Sequence, residues 1–399
     1  MKENAIALEI SHKFIKIVFG YVLGKQVIVT YVKKIPLNHA IENGVIKDRT
    51  SIIKELSKNN PIVDNTYHIN QLINNAILVL PPYGLEVYQT KQITSVISPE
   101  KIVGELDVKN IYSIIRNKRL PVDNELIDII PDAFGLDNGE KYSVPPIGKS
   151  SSAITAFVKV HTLPKRINAE YTDCLRSSNI KVSRRVVAPF AVTELLATYP
   201  EVPPTYFLLD IGASSTSLSL VGNHQLYATR CVSWGGDNIT DAIVRNFNIS
   251  EQEAEKIKIL FGLDKRKMKF DYSVCETKSE DDPRVHSVEA LNEIIEHELD
   301  EFVKALSVSM EQLSNAYNLE DSSALPIILI GGGSKLKGLK TYLSEHIDNE
   351  DIQLLKIKTI GARDPSLVNL LGAIVVNNKF PLSKGEGANK DHVNVSREE

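Results

Sequence analysis

A five-residue segment near the start of the chain returns 201 positions later with the same order of apolar and acidic residues. Ala7-Leu8-Glu9-Ile10-Ser11 matches Leu208-Leu209-Asp210-Ile211-Gly212, and at the same spacing Ile17 meets Leu218 and Phe19 meets Leu220. Strand side chains alternate between faces, so a slip of one residue would exchange the inward and outward sets. The register instead holds across two successive strands, which marks a duplication. Each half reads as strand, acidic residue, tight turn, strand and a further strand. A chain of 399 residues built this way is expected to be α/β, with two lobes of one design.

Composition narrows the function classes. With 43% hydrophobic and 24% charged residues the chain matches ordinary globular proteins and can support two or three cores. A net charge of −4 gives no overall pull on nucleic acid, so no nucleic-acid partner is expected. The first 200 residues carry +6 and the remainder −10. Surface solubility accounts for that split, and head-to-tail association is the alternative. Three cysteines, Cys174, Cys231 and Cys275, lack CxxC spacing, which argues for buried free thiols and against a disulfide framework or structural zinc. The nine histidines show no metal-ligand spacing along the chain. No leader resembles a signal peptide and no window reaches the ~20 apolar residues of a membrane helix, so a cytoplasmic protein is expected.

Along the chain, strands are expected at Ala5–Ile10, Phe14–Val22 and Gln26–Lys34, a helix near Asp48–Lys58, and a strand at Ala76–Leu80 that stops at Pro81-Pro82. Residues 83–163 differ in texture and read as an inserted subdomain. The first lobe is expected over 1–82 and 164–204, with a crossover at Tyr199–Pro204. The second lobe core is expected over 205–225 and 325–378, and its outer subdomain over 226–324, including an amphipathic helix or helix pair from Ser287 to Tyr317. Residues 379–399 read as a disordered polar tail.

An acidic residue at the end of a central strand can hold Mg²⁺ through water, and the turn after it can present backbone N–H groups to phosphate. Two such hairpins facing each other would grip a nucleotide from both sides. With the repeat, further motifs follow in order: Trp234-Gly235-Gly236-Asp237-Asn238-Ile239-Thr240-Asp241, then Glu253-Ala254-Glu255-Lys256-Ile257-Lys258, then Ile328 to Ser334 with its three glycines. In this order they resemble the actin/Hsp70/sugar-kinase superfamily and, within it, the FtsA family of bacterial cell-division proteins. The resemblance covers roughly residues 5–376. Ile129-Ile130-Pro131, Pro146-Ile147-Gly148 and Val160-His161 resemble the subdomain that is inserted in that family.

The resemblance implies an actin-like (ribonuclease H-like) duplicated ATPase fold that takes ATP and Mg²⁺. Asp210 and Glu9 would orient the metal and a water near the γ-phosphate; a capping role at a strand end is the alternative for Asp210. Lys16 would reach a phosphate or sit exposed on its strand. Gly212, Ala213, Ser214, Ser215 and Thr216 would cradle phosphate. Glu255 and Lys258, three apart on one helix face, would hold the ribose or form an ordinary ion pair. Gly331, Gly332, Gly333 and Ser334 would admit the adenine and α-phosphate side, and Gly235, Gly236 and Asp237 are read in the same way. The resemblance further implies head-to-tail self-association, recruitment to the division site, and binding of the FtsZ C-terminal peptide in the outer subdomain. Arg284 aligns with a basic residue of that contact, with an ordinary surface arginine as the equal alternative.

Three departures shape the expectation. Ser11 stands where the family usually has glycine, which narrows the room for phosphate and disfavours positive φ. Ser217 stands where an acidic residue is usual, so at most slow ATP turnover is expected. Lys379–Glu399 holds four basic and four acidic residues and cannot bury an apolar face, so a membrane link would come from a partner or a missing tail helix. Two other classes stay open. One is a nucleotide-independent or PilM-like scaffold, against which the inserted subdomain is read. The other is a small-molecule kinase, for which no acidic base motif is found.

Overall fold

In the computed structural model, residues 4–263, 272–277, 284–320, 322–349 and 351–380 are described. The expected tail therefore lies outside the described residues apart from Lys379 and Phe380. Strands β1 (Ala5–Ile10), β2 (Phe14–Leu23) and β3 (Gln26–Pro36) form an antiparallel meander. Two small ribbons follow, β4 (Ile41–Glu42) with β5 (Val45–Ile46), and β6 (Ile62–Asp64) with β7 (Ile69–Gln71). Between them helix α1 (Arg49–Lys58) starts at Asp48, whose carboxylate accepts the N–H of Ser51. Strand β8 (Ala76–Leu80), buried throughout, lies parallel to β1.

The inserted region comprises β9 (Glu86–Ser95), α2 (Glu105–Arg116), β10 (Asn124–Leu136), β11 (Lys141–Tyr142) and β12 (Ala153–Pro164). Its sheet order is β11-β10-β12-β9, and it has a core of its own around Ile111, Phe134 and Ile154. The chain then returns through α3 (Lys165–Ser177) to β13 (Val182–Val187), which completes the first sheet in the order β13-β8-β1-β2-β3. Helix α4 (Ala188–Leu196) follows and is buried along its whole length.

The second half repeats the plan. Strands β14 (Tyr206–Ile211), β15 (Thr216–Gly222) and β16 (Gln225–Val232) form a second meander. Helices α5 (Gly236–Phe247) and α6 (Glu251–Phe261), the hairpin β17 (Ser273–Glu276) and β18 (Val285–Ser287), and the single 30-residue helix α7 (Val288–Tyr317) come next. Leu291, Ile295, Leu299, Phe302 and Leu306 of α7 form one buried stripe, with Phe302 stacked on Trp234 at 4.0 Å. Strand β19 (Ile327–Ile330), helix α8 (Leu339–His346) and β20 (Ile352–Leu354) complete the sheet β16-β15-β14-β19-β20. The two sheets thus share one topology, with β19 standing to β14 as β8 stands to β1.

Two expected boundaries move. Strand β16 pairs with β15 in the core sheet, so residues 226–232 belong to the second lobe core and not to its outer subdomain. The final helix, α9 (Val368–Lys379), joins the core of the first lobe rather than the second. Its run Val368 to Val376 is buried on every side and needs a pocket between elements. It finds one against α4, where Gly372 lies so close to the Ala191 carbonyl that a Cβ would overlap it. The three thiols are free as expected, but only Cys174 is buried, while Cys231 and Cys275 are partly exposed.

Candidate functional site

The turns after β1 and β14 face each other across a cavity of about 690 Å³. That volume suits a small ligand of nucleotide size. The turns are built alike. Ser11 N–H donates to the Phe14 carbonyl at 2.9 Å, and 201 residues on, Gly212 N–H donates to the Ser215 carbonyl at 2.9 Å. Ser11 does not adopt a positive φ, so the backbone penalty expected there is absent. Its hydroxyl folds back on the Phe14 carbonyl at 2.8 Å. At Gly212 a Cβ would come within 2.7 Å of the Ser215 carbonyl, so this turn, unlike the first, excludes a side chain.

Glu9 and Asp210 end up as neighbours at the cavity floor. Asn369 of α9 joins them, its Nδ2 donating to Glu9 Oε1 at 2.9 Å and to Asp210 Oδ2 at 3.3 Å. Lys16, the cross-strand partner of Glu9, binds Glu9 Oε2 and the Ser366 carbonyl, both at 2.9 Å. It is buried rather than exposed on its strand. Burial and the adjacent Glu9 charge push the Asp210 carboxyl up to about 6, against the pull of Lys16 and Asn369. Asp364 lies at the same end of the cavity. It receives Lys34 of the first lobe at 2.5 Å and Lys335 of the second at 3.2 Å. Burial would raise its carboxyl, yet these lysines and the Ser366 N–H hold it well below the usual range.

The second wall is α5 and α6. Lys258 Nζ is buried and spends its donors on the Gly236 carbonyl (2.9 Å), Thr240 Oγ1 (2.8 Å) and Glu255 Oε2 (2.8 Å). Burial opposes ionisation of Glu255, but the Lys258 charge and hydrogen bonds outweigh it and lower its pKa. Lys13 in the first turn crosses the cavity to Asp237 Oδ1 at 2.5 Å and Glu255 Oε2 at 3.3 Å. Burial is opposed by these two carboxylates, which leave the Lys13 ammonium above its ordinary value.

Several residues expected to meet a ligand have other work. The N–H groups of Gly236 and Asp237 donate to the Gly212 and Ala213 carbonyls at 3.0 and 2.8 Å, docking α5 onto the second turn. Gly235 is required by this packing, since a Cβ would overlap the Ala213 carbonyl. Thr216 turns inward and donates to the Trp234 carbonyl at 2.8 Å, and Ser334 donates to Gly331 at 2.8 Å. Both hydroxyls are buried and absent from the cavity wall. Ala213, Ser214, Ser215, Gly331, Gly332 and Gly333 do line it. Gly331 has φ +84°, and a Cβ there would collide with Asp210 Oδ1. Arg284 is exposed just ahead of α7, far along the chain from both turns, with its carbonyl accepting Thr277 N–H at 2.8 Å.

Sequence reasoning missed Asn369, Lys13, His12 and Asp364. Asn369 carried a signal, as a polar residue opening an otherwise apolar helix. His12 and Lys13 fall between the first two expected strands, where no local spacing marks them.

The family described as Cell division protein FtsA matches residues 207–372. The chain is 25% identical over 299 residues to the Enterococcus faecalis FtsA, covering 74% of this chain and 66% of that relative, just under two thirds of its length. It is 22% identical over 373 residues to Enterococcus hirae FtsA, covering 92% and 82%. Among solved structures, the PilM-PilN type IV pilus biogenesis complex matches with a TM-score of 0.61 at 20% identity, over 93% of this chain and 97% of that one. MreB5 of Spiroplasma citri bound to ADP matches at 0.53 and 11% identity, over 95% and 97%. These likenesses establish the actin-like fold. They also correct one argument: a match over 93% of the chain must take in most of residues 83–163, so the inserted subdomain does not speak against a PilM-like protein.

Proposed function

From the premise that this chain is a divergent member of the FtsA family with an actin-like fold, we propose that it is a nucleotide-binding adaptor of cell division. The observation that carries the reading is the meeting of Glu9 and Asp210, one from each half of the repeat, under a single amide, Asn369. The two carboxylates are oxygen donors of the kind a hydrated Mg²⁺ takes, and Asn369 orients both through its Nδ2. The bound metal would offset phosphate charge. Around it, the backbone of residues 213–215 would hold phosphate, Glu255 and Lys258 the ribose, and Gly331–Gly333 the α-phosphate and base side.

Turnover is at most slow in this reading. The acidic position usual near the attacking water is Ser217, and at the equivalent place in the first hairpin Lys16 is already tied to Glu9. Nucleotide would draw the two lobes together by contacting both and so bias the chain toward head-to-tail association. The FtsZ C-terminal peptide would dock on the outer part of the second lobe near Arg284, recruiting the protein to the division site. In this reading membrane contact comes through a partner or a missing tail helix; among the described residues no helix is long and apolar enough to cross a membrane.

Calorimetric titration with Mg-ATP tests the nucleotide step. Saturable binding that weakens at least tenfold in Asp210→Asn supports it, while no heat at millimolar nucleotide contradicts it. In that event a nucleotide-independent, PilM-like scaffold takes its place. The Lys13 contacts to Asp237 and Glu255, which join the lobes through protein side chains, favour that second reading.

A further inference from the structure

His12 and His39 sit 27 residues apart in the first lobe, yet their rings meet edge to face with His12 Nε2 2.8 Å from His39 Nδ1. The other nitrogen of each ring faces an acceptor. His12 Nδ1–H donates to the Ile41 carbonyl, and His39 Nε2–H donates to Glu251 Oε1 at 3.2 Å. These bonds fix the tautomers and leave the two facing nitrogens as bare lone pairs. Two lone pairs at that distance repel unless a proton or a metal ion lies between them. Asp237 supplies a third donor from the opposite lobe, with Oδ2 3.3 Å from His12 Nε2 and its other oxygen held by Lys13. All three donor atoms lie within 4.8 Å of one another.

We propose that His12 Nε2, His39 Nδ1 and Asp237 Oδ2 bind one Zn²⁺ that clasps the two lobes together at the cavity edge. Tetrahedral zinc with bonds of about 2.0–2.1 Å places its ligand atoms roughly 3.3 Å apart, inside the observed spread. Imidazoles whose second nitrogen is bonded to a carbonyl or a carboxylate are the usual supported form of zinc ligand. The set contains nitrogen donors, which select a transition ion over Mg²⁺ or Ca²⁺. Three protein ligands leave the fourth position for water or an anion. His39 also has φ +44°, a conformation uncommon for a non-glycine residue. The site does not depend on nucleotide binding and uses neither Glu9 nor Asp210.

The test uses the full chain after chelator treatment, titrated with Co²⁺ and followed by visible absorption, then with Zn²⁺ by calorimetry. One ion per chain is expected, with an intense tetrahedral Co²⁺ spectrum that Zn²⁺ displaces. His39→Ala, at a half-exposed position that should not disturb folding, is expected to weaken binding at least tenfold. Asp237→Asn is expected to do likewise, and Cys231→Ser to change nothing. Absence of saturable binding, or binding that survives His39→Ala but is lost in Cys231→Ser, would overturn the proposal. In the first case a proton shared between the two histidines explains their contact.

Discussion

Lys13, in the turn after β1, reaches across the cavity to Asp237 in the first turn of α5, 2.5 Å away. Both groups are largely shielded from solvent, so this ion pair links the lobes more firmly than a surface pair. Lys13→Ala is expected to cost about 1 kcal/mol of folding stability, read as a lower urea midpoint. Asp237→Asn should cost a similar amount, and the double variant little more than either alone. Additive losses would show that the two residues do not act as a pair.

Acid and base should act on the cavity floor through Asp210, whose folded carboxyl titrates near 6 against about 3.9 when unfolded. A raised carboxyl holds its proton longer in the folded chain. The contribution is therefore most favourable below pH 4 and is lost as pH rises from 4 through 6. Asp210→Asn should remove this penalty and stabilise the ligand-free protein at pH 7.5 by about 3 kcal/mol. Mg-ATP binding should show the opposite trend, weakening as pH falls below 6 because the metal needs the carboxylate. Denaturation and calorimetry across pH 5–8 read both, and a flat profile in either would contradict the assignment.

Gly331 and Gly332 offer a sharp contrast within one loop. At Gly331 the φ of +84° and the nearby Asp210 and Ile211 leave no room for a methyl group, whereas at Gly332 the nearest atom to a Cβ is 3.9 Å away. Gly331→Ala is expected to cost at least about 2 kcal/mol and Gly332→Ala less than about 0.5. Thermal denaturation of the two variants provides the check. Equal effects would mean that the loop does not pack on Asp210 as described.

Removing Lys258 should hurt the fold as well as any ligand. Its ammonium satisfies a backbone carbonyl, a hydroxyl and the Glu255 carboxylate at once. Lys258→Met, which keeps the stem, is expected to lose about 2 kcal/mol in urea denaturation. A loss under 0.5 kcal/mol would show that water replaces it freely.

The duplication was legible because hairpin register is written in alternating side chains: the offset that aligns Glu9 with Asp210 also aligns the turn hydrogen bonds of Ser11 and Gly212. Helix limits were legible where caps were strong, as at Asp48 and Ser287. The long strands β9 and β12 were not singled out: β9 has no buried residue to mark an inward face, and in β12 Lys159, His161 and Thr162 are buried polar residues that interrupt its apolar pattern. The placement of α9 was invisible, since an all-apolar helix says only that it is buried and not against what. For the same reason the His12–His39 contact and the Asn369 bridge escaped notice: both join positions far apart in sequence, and no local spacing encodes them. Thr216 and Ser334 show the converse, motif positions whose hydroxyls serve the scaffold.

The most direct measurement of the adaptor reading is binding of a synthetic FtsZ C-terminal peptide from the same organism, with and without Mg-ATP. The account predicts micromolar binding that is abolished by Arg284→Glu, with the variant's thermal denaturation unchanged. No binding under either condition would contradict it and leave an actin-fold scaffold serving another assembly.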